Sequence, residues 1–190
     1  MVRSAKSAVF LDRDGVLNEA IMRNGKPYAP RDLSEFVITY GARAALEKLK
    51  REGFLLIVVT NQPDVARGKA NRADVEKINA ELAAILPLDA IEVCEHDDIE
   101  QCDCRKPKPG MILRASKRFG MDLAGSFMVG DRWRDIEAGQ RAGCRTILIG
   151  DGYGETFPRA PTITLASLPR AASWIIQQSR IEQGSHENDQ

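Results

Sequence analysis

The chain has 190 residues, of which 43% are hydrophobic, and its 27 lysines and arginines balance its 27 aspartates and glutamates. This composition predicts one domain with a sizeable core, and the zero net charge excludes the strong field typical of proteins that bind nucleic acid or anionic membranes. Because no apolar run could span a bilayer or form a signal-peptide core, we expect a cytoplasmic protein whose four cysteines stay reduced or bind metal.

Apolar runs alternate with helical patterns along the chain, which predicts an α/β fold with a Rossmann-like, mainly parallel sheet and helices on both faces. Residues 19–40 are expected to form an irregular loop, residues 1–180 a single domain, and residues 181–190 a flexible polar tail. In chain order, the predicted elements are a strand at 8–11, a helix at 41–52, a strand at 54–59, a helix at 71–86, a strand at 91–94, a helix at 111–119, a strand at 126–129, a helix at 136–142, strands at 146–149 and 162–165, and a helix at 167–178.

Two carboxylates, Asp12 and Asp14, follow the first predicted strand, and Gly15 frees the backbone to turn after them. Side chains at positions i and i+2 of a strand share a side, so both aspartates can converge at the carboxyl edge of the sheet, where open parallel sheets bind ligands. Such a pair can hold Mg²⁺, or it can provide a nucleophile and a general acid. The alternative is a solvated turn without chemistry.

Two further predicted strands end in polar clusters that would meet this pair of aspartates. Thr60 and Asn61 follow the strand at 54–59, Asp131 and Asp135 follow the strand at 126–129, and Lys106 comes from the loop between them. Phosphoryl transfer needs a cation, donors for the phosphoryl oxygens and an in-line nucleophile, which these residue types supply. Each also has a structural interpretation, as a turn cap, a solvated loop lysine, or acids that favour a helix dipole.

A second cluster consists of Cys94, His96, Cys102 and Cys104. Three thiols and an imidazole are enough for a closed tetrahedral Zn²⁺ site of the structural type. The metal would order the loop at residues 94–104, which is acidic and has little apolar content. It would thereby fix the direction of Lys106. Reduced surface thiols beside an incidental histidine are the alternative.

Taken in order, the first set of motifs resembles the haloacid dehalogenase (HAD) superfamily of phosphatases over residues 8–150. The matching segments are Asp12-Arg13-Asp14-Gly15, Thr60, Lys106, and Gly130-Asp131 with Asp135. The resemblance implies the HAD fold and a reaction in which Asp12 attacks phosphorus to give an aspartyl phosphate, while Asp14 protonates the leaving oxygen and then activates water. It also implies Mg²⁺ held by the Asp12 carboxylate, the Asp14 backbone carbonyl and Asp131.

The same resemblance assigns the remaining polar positions. Thr60, Asn61 and Lys106 would hold the phosphoryl oxygens, and Asp135 would orient a metal ligand or the lysine. A HAD-fold binding module that has lost catalysis is disfavoured, because every acid that the chemistry requires is present.

The cysteine-rich loop narrows the resemblance. Cys-x-His followed by Cys-x-Cys-Arg-Lys-Pro, together with residues 59–62 and 66–69, resembles the D-glycero-D-manno-heptose 1,7-bisphosphate 7-phosphatases and the related histidinol-phosphate phosphatases. These enzymes lack a large cap domain, and the same is expected here. The resemblance implies a small phosphorylated sugar as substrate, first heptose bisphosphate cleaved at the 7-phosphate, with histidinol phosphate as the alternative. Arg105 would recognise a second phosphate, which a guanidinium can grip bidentately.

Gln62 and Arg132 are also expected to contact the substrate, and the surrounding sequence departs from the family pattern. Only five residues separate the halves of the zinc loop, Pro63-Asp64-Val65 replaces the more usual Ser-Gly-Ile, and Arg132 stands where lysine is common. These departures leave the phosphoryl chemistry intact and the leaving group open. We expect a monomer that uses Mg²⁺ and a structural Zn²⁺.

Overall fold

Six strands form one parallel sheet at the centre of the computed structural model, which describes residues 6–187. In chain order, the elements are β1 (Lys6–Leu11), β2 (Ile21–Arg23), β3 (Lys26–Tyr28), α1 (Ala42–Arg51), β4 (Leu55–Asn61), α2 (Arg72–Ile85), β5 (Ala90–Cys94), α3 (Gly110–Phe119), β6 (Met121–Gly130), α4 (Trp133–Ala142), β7 (Arg145–Ile149), β8 (Ile163–Leu165) and α5 (Leu168–Glu187). The sheet order is β5-β4-β1-β6-β7-β8, with every neighbouring pair parallel. The predicted α/β fold class is confirmed.

The central strand β1 is buried on both faces, which explains its unbroken apolar run. Val9 and Leu11 pack into one core cluster with residues of α1, α2 and α5. Ala8 and Phe10 pack into a second cluster with residues of α3 and α4 on the opposite face. The alternation of side chains along a strand therefore divides the core into two layers around the sheet.

The segment predicted as an irregular loop contains a two-stranded hairpin, β2–β3, so that prediction was wrong for residues 21–28. Asn24 and Gly25 both have positive φ angles, 51° and 72°, as the tightest hairpin turns require. Each strand is only three residues long, too short for alternation to show in the sequence. Between β1 and α1 the chain inserts only this hairpin and its flanking loops, so no large cap is present in the described residues, as predicted.

The last helix, α5, extends well beyond its predicted end at residue 178 and continues to Glu187. The polar sequence favoured a flexible tail from residue 181, but helical structure at a surface does not require apolar residues. Two ion pairs connect this part of the helix to the body of the protein, Arg180 with Glu52 and Arg145 with Glu182, both between exposed or half-buried side chains. Residues 188–190 of the predicted tail lie outside the described residues. No helix among the described residues is both long and apolar enough to cross a membrane.

Candidate active site

A buried ion-paired cluster lies at the carboxyl edge of the sheet, where the neighbouring strands β1 and β6 end. The Lys106 ammonium lies 2.7 Å from Oδ1 of Asp12 and 2.6 Å from Oδ1 of Asp135. The carboxylates of Asp12, Asp131 and Asp135 offer oxygens that all lie within 4.8 Å of one another. All four residues are buried. Residues separated by more than a hundred positions in the sequence therefore meet at one point.

The charges in this cluster do not balance without a further cation. Burial raises the pKa of Asp12 to about 7, and burial raises the pKa of Asp131 well above its ordinary value. Burial alone would lower the pKa of Lys106, but the charges of Asp12 and Asp135 outweigh it and raise that pKa. Oδ1 of Asp131 is buried with no hydrogen-bond partner. Three carboxylates, one with an unsatisfied oxygen, fit Mg²⁺, which prefers oxygen ligands.

Two glycines allow the carboxylates to approach the backbone closely. A Cβ added at Gly15 would overlap the Asp131 carboxylate, and Gly15 also has a φ of 91°, which side chains disfavour. A Cβ at Gly130 would overlap the Asp135 side chain. The close approach of a carboxylate therefore requires glycine at both positions, and the positive φ is a second reason at Gly15.

Asp14 lies beside the cluster and is surrounded by hydrogen-bond donors. Arg13 donates from Nε and Nη2 to the two Asp14 oxygens, at 3.1 Å each, and Gln62 and Asn18 donate at 2.7 and 3.0 Å. The Arg13 side chain is fully buried and donates from Nη1 to Oδ1 of Asn79 at 2.8 Å. The four donors fix the Asp14 carboxylate in place and leave its two oxygens as acceptors.

The end of β4 contributes the polar residues predicted from its sequence, and each has hydrogen-bond partners within the protein. Thr60 is buried, and its Oγ1 accepts from Nε2 of Gln62 at 2.9 Å. Asn61 donates from Nδ2 to the Lys106 carbonyl and accepts from the Lys106 N–H, both at 3.0 Å. Asn61 thus holds the backbone that presents the lysine, and Gln62 bridges Thr60 to Asp14.

The two arginines predicted to contact the substrate are both paired with carboxylates of this chain. Arg105 donates from Nε to Oδ1 of Asp98 at 2.7 Å and from Nη1 to the carbonyl of His96 at 3.3 Å. Arg132 forms a two-bond ion pair with Glu155, including one from Nε at 3.0 Å. Neither guanidinium forms a hydrogen bond to the buried carboxylate cluster itself.

A glycine-rich segment after β7 reaches the cluster, which the sequence did not predict. Tyr153 donates from its hydroxyl to Oδ2 of Asp131 at 2.8 Å. Its backbone lies in the left-handed region, with a φ of 55°, and the Asp151 side chain accepts from its N–H at 3.0 Å. A non-glycine residue in this conformation is strained, a feature that concentrates at functional sites. The glycines at 150, 152 and 154 were the available sequence signal.

The structure brings Cys94, His96, Cys102 and Cys104 together as one cluster. The Cys104 sulfur lies 3.1 and 3.3 Å from the sulfurs of Cys94 and Cys102, and 3.2 Å from Nδ1 of His96. The cysteines are free thiols, since disulfide sulfurs lie about 2 Å apart. Tetrahedral Zn²⁺ with thiolate bonds of about 2.3 Å places its sulfurs about 3.8 Å apart, so a slight expansion admits the ion. The donor set and its closed geometry fit zinc.

Comparison with known proteins places this geometry in a family. The HAD-hydrolase-like family model matches residues 103–171. The D-glycero-beta-D-manno-heptose-1,7-bisphosphate 7-phosphatase of Pseudomonas aeruginosa is 32% identical over 182 residues, which cover 91% of this chain and 99% of that protein. The enzyme of the same name from Escherichia coli K12 is 37% identical over 183 residues, 86% of this chain and 92% of that protein.

A solved structure is similar over nearly the same length. The D,D-heptose 1,7-bisphosphate phosphatase from B. bronchiseptica, crystallised with magnesium and phosphate, superposes with a TM-score of 0.78 at 31% identity. The match covers 90% of this chain and 99% of that one. The chain belongs to the HAD-like hydrolases and is a phosphatase of the family that these relatives represent.

Proposed function

We propose that this protein is a Mg²⁺-dependent phosphomonoesterase that works through an aspartyl-phosphate intermediate on Asp12. The observation that carries the proposal is the buried cluster in which Lys106 contacts Asp12 and Asp135, with Asp131 within ligand distance of both acids. A carboxylate beside a fixed ammonium at the open edge of a parallel sheet suits attack on a bound phosphoryl group. The magnesium and phosphate in the similar crystal structure support the same assignment.

Each residue of the cluster has a role in this reaction. Asp12 attacks phosphorus, and Lys106, together with the Thr60 hydroxyl, donates hydrogen bonds to the phosphoryl oxygens as their charge develops. The Asp12 and Asp131 carboxylates and the Asp14 backbone carbonyl would hold Mg²⁺. Bound Mg²⁺ would offset the negative charge on the transferring oxygens and on the acids around them.

Asp14 serves as the general acid and then as the general base. In the first step it gives a proton to the leaving oxygen as the bond between phosphorus and that oxygen breaks. In the second step its carboxylate takes a proton from the water that hydrolyses the aspartyl phosphate. Arg13 and Gln62 donate hydrogen bonds to the Asp14 oxygens and so hold the side chain in position for both steps.

Tyr153→Phe should weaken Mg²⁺ binding about 10-fold, since partners that orient metal ligands typically contribute 10- to 100-fold in affinity. The change removes only the hydroxyl that donates to Asp131. Activity titrated against Mg²⁺ measures the effect, and kcat at saturating Mg²⁺ should change little. Tyr40→Phe, on a side chain that is 94% exposed, is the matched control. An unchanged Mg²⁺ requirement in Tyr153→Phe would show that the hydroxyl does not support the metal ligand.

The substrate that we propose is D-glycero-beta-D-manno-heptose 1,7-bisphosphate, cleaved at the 7-phosphate. The names of the relatives at 32% and 37% identity support this choice. The test is a phosphate-release screen over the heptose bisphosphate, histidinol phosphate and common sugar phosphates, with and without Mg²⁺. We expect kcat/KM to be highest for the bisphosphate. A clear preference for histidinol phosphate, or release that does not need Mg²⁺, would contradict the proposal.

Arg105→Ala should raise KM about 10-fold or more for the bisphosphate and much less for histidinol phosphate. A bisphosphate needs a second anion site, and a charge-assisted pair with phosphate contributes about 1.5–3 kcal/mol. Steady-state kinetics on both substrates measure the difference. Because Arg105 also donates to the carbonyl of His96, the zinc content of the variant is measured as a control. Equal increases for both substrates would remove Arg105 as the residue that recognises the second phosphate.

The cysteine cluster, on this proposal, holds a structural Zn²⁺. Cys104 directly precedes Arg105 and Lys106, so a metal at the cluster fixes the start of the segment that carries both cations. The role of the zinc would be to shape the substrate edge of the site, since its four ligands leave no open position for chemistry.

A further inference from the structure

Arg13 has the largest fully buried side chain among the residues that the structure describes. Its guanidinium donates from three nitrogens. Nε and Nη2 each donate to one oxygen of the Asp14 carboxylate at 3.1 Å, and Nη1 donates to Oδ1 of Asn79 at 2.8 Å. Burial of a charged group is costly unless the group is paired and hydrogen-bonded, and these contacts offset that cost. Bonds at three separate nitrogens also fix both the position and the plane of the guanidinium.

Arg13 differs from the two amides that also donate to Asp14. Asn18 donates to Oδ1 at 3.0 Å and Gln62 donates to Oδ2 at 2.7 Å, whereas Arg13 bonds to both oxygens. Two parallel N–H···O bonds fix the plane of a carboxylate as well as its distance. A leaving oxygen or a water can therefore take the place of one neutral amide while Arg13 keeps the carboxylate in its plane.

The position of Asn79 is set by the packing of α2 against the core. Asn79 is half-buried and lies 66 positions after Arg13 in the sequence. Leu82, on the next turn of α2, packs in the same core cluster as Leu11 and Leu17, which precede and follow Arg13 in the chain. The core therefore holds the Asn79 side chain at a fixed place relative to the turn after β1.

A purely structural connection between this turn and α2 would not need a buried charge. An ion pair removed from water stabilises a fold little more than apolar side chains of similar volume do. The Arg13 side chain is nevertheless fully buried, and its ion-pair partner is Asp14, the acid whose proposed role depends on direction. Asn79 is neutral, so it orients the guanidinium without competing for its charge.

We propose that Arg13 and Asn79 are positioning residues for the general acid and base: Arg13 fixes the plane of the Asp14 carboxylate, and Asn79 fixes Arg13. The inference rests on the proposed function and deepens it by adding two residues that act through Asp14. In the first step of the reaction, a bond forms between an Asp12 carboxylate oxygen and phosphorus, and the bond from phosphorus to the leaving oxygen breaks. The proton of the Asp14 carboxyl passes to that leaving oxygen. A misdirected Asp14 slows only this proton transfer.

The test compares two phosphate esters that differ in their need for that proton. D-glycero-beta-D-manno-heptose 1,7-bisphosphate releases an alcohol, whose oxygen must be protonated as it departs, whereas p-nitrophenyl phosphate releases a stable phenolate. The ratio kcat/KM covers the transfer of the phosphoryl group to Asp12 and not the later hydrolysis. Asn79→Ala should lower kcat/KM about 10-fold for the bisphosphate and less than about 2-fold for the aryl ester, since loss of one hydrogen bond to a charged group costs about that factor.

Two further variants set the scale of the effect. Asp14→Asn removes the acid itself and should lower kcat/KM for the bisphosphate by about 10²- to 10⁴-fold, with little change for the aryl ester. Arg13→Lys keeps the charge but cannot bond to both carboxylate oxygens in one plane, so it should show the same selectivity with a loss of about 100-fold. If Arg13→Lys does not fold, Asn79→Ala decides the question, because it changes no charge.

Asn71→Ala is the control, since it removes the same kind of side chain from the same helix, together with the hydrogen bond that caps it. It should lower Tm and leave the ratio of the two kcat/KM values unchanged. The inference is overturned if Asn79→Ala changes both esters by the same factor or changes neither. Equal losses for both esters in Asp14→Asn would instead show that the proposed role of Asp14 is wrong. If the wild type hydrolyses the aryl ester but not the bisphosphate, the proposed substrate is wrong, and the same comparison is made with the sugar phosphate that the release screen identifies.

Discussion

Asp12→Asn should lower kcat by roughly 10⁴- to 10⁶-fold, the range seen when an enzyme loses its nucleophile. The amide keeps the shape of the carboxylate but cannot form the acyl phosphate. Its loss should not unfold the protein, because Lys106 keeps its partner Asp135 at 2.6 Å. The measurement is single-turnover and steady-state phosphate release with saturating Mg²⁺, together with thermal unfolding of both proteins.

The stability of this variant provides a second readout with a definite sign. Burial raises the pKa of Asp12 from 3.8 to about 7, with Asp135 and Asp14 adding to the shift and Lys106 opposing it. Below pH about 4 the group is protonated in both folded and unfolded chains, and it costs no stability there. As the pH rises toward 7 the unfolded chain ionises first, so the metal-free wild type loses stability over this window and regains none above it.

Asp12→Asn should therefore have a higher Tm than the wild type in metal-free buffer at pH 7.5, and the difference should disappear near pH 4. Added Mg²⁺ should stabilise the wild type more than the variant, because the variant has lost a ligand. Asp74→Asn, on a half-buried carboxylate at the surface that pairs with Lys77, is the matched control for both readouts. Turnover near the wild-type rate in Asp12→Asn would remove Asp12 as the nucleophile.

The positions of the proposed catalytic groups could be predicted from the sequence because they depend on local pattern and simple topology. Apolar runs define β1, β4 and β6, and in a parallel sheet with this order their carboxyl ends lie side by side. Asp12, Thr60 and Asp131 follow directly from those ends. The position of Lys106 could be predicted only from the family motif. Lys106 lies in a loop, where hydrophobic periodicity gives no information about position.

The supporting contacts could not be predicted, because they join segments that share no local pattern. Arg13 reads as a surface charge between two acids, yet it is buried and reaches Asn79 on α2. Tyr153 reads as a loop residue, yet its hydroxyl bonds to a carboxylate 22 positions earlier. Asn61 is predicted to hold the phosphoryl group, and its hydrogen bonds to the Lys106 backbone were not foreseen. Hydrogen-bond partners depend on side-chain directions that the sequence alone does not specify.

Removal of zinc should lower the thermal stability of the protein and weaken substrate binding. We expect about one tightly held Zn²⁺ per chain by metal analysis, and we expect Cys102→Ser to release it. Apart from its cysteines, the segment 94–104 contains one apolar side chain, the exposed Ile99, so the metal would supply much of the energy that orders it. If that loss amounts to about 3 kcal/mol, a modest part of what structural zinc contributes, Tm falls by about 6–12 °C for a chain of this size.

Cys102→Ser should also raise KM more than it lowers kcat. This result would show that the zinc loop contributes to substrate binding as well as to the stability of the fold. Cys104 leads into Arg105, whose guanidinium also bonds to the His96 carbonyl, so a disordered loop misplaces the group that would meet the second phosphate. Cys144→Ser is the matched control, because Cys144 is buried outside the cluster and its substitution can lower stability without releasing metal. A zinc-free protein with the wild-type Tm would contradict the zinc site. A zinc-free protein with lower Tm but unchanged KM would confine the metal to a purely structural role.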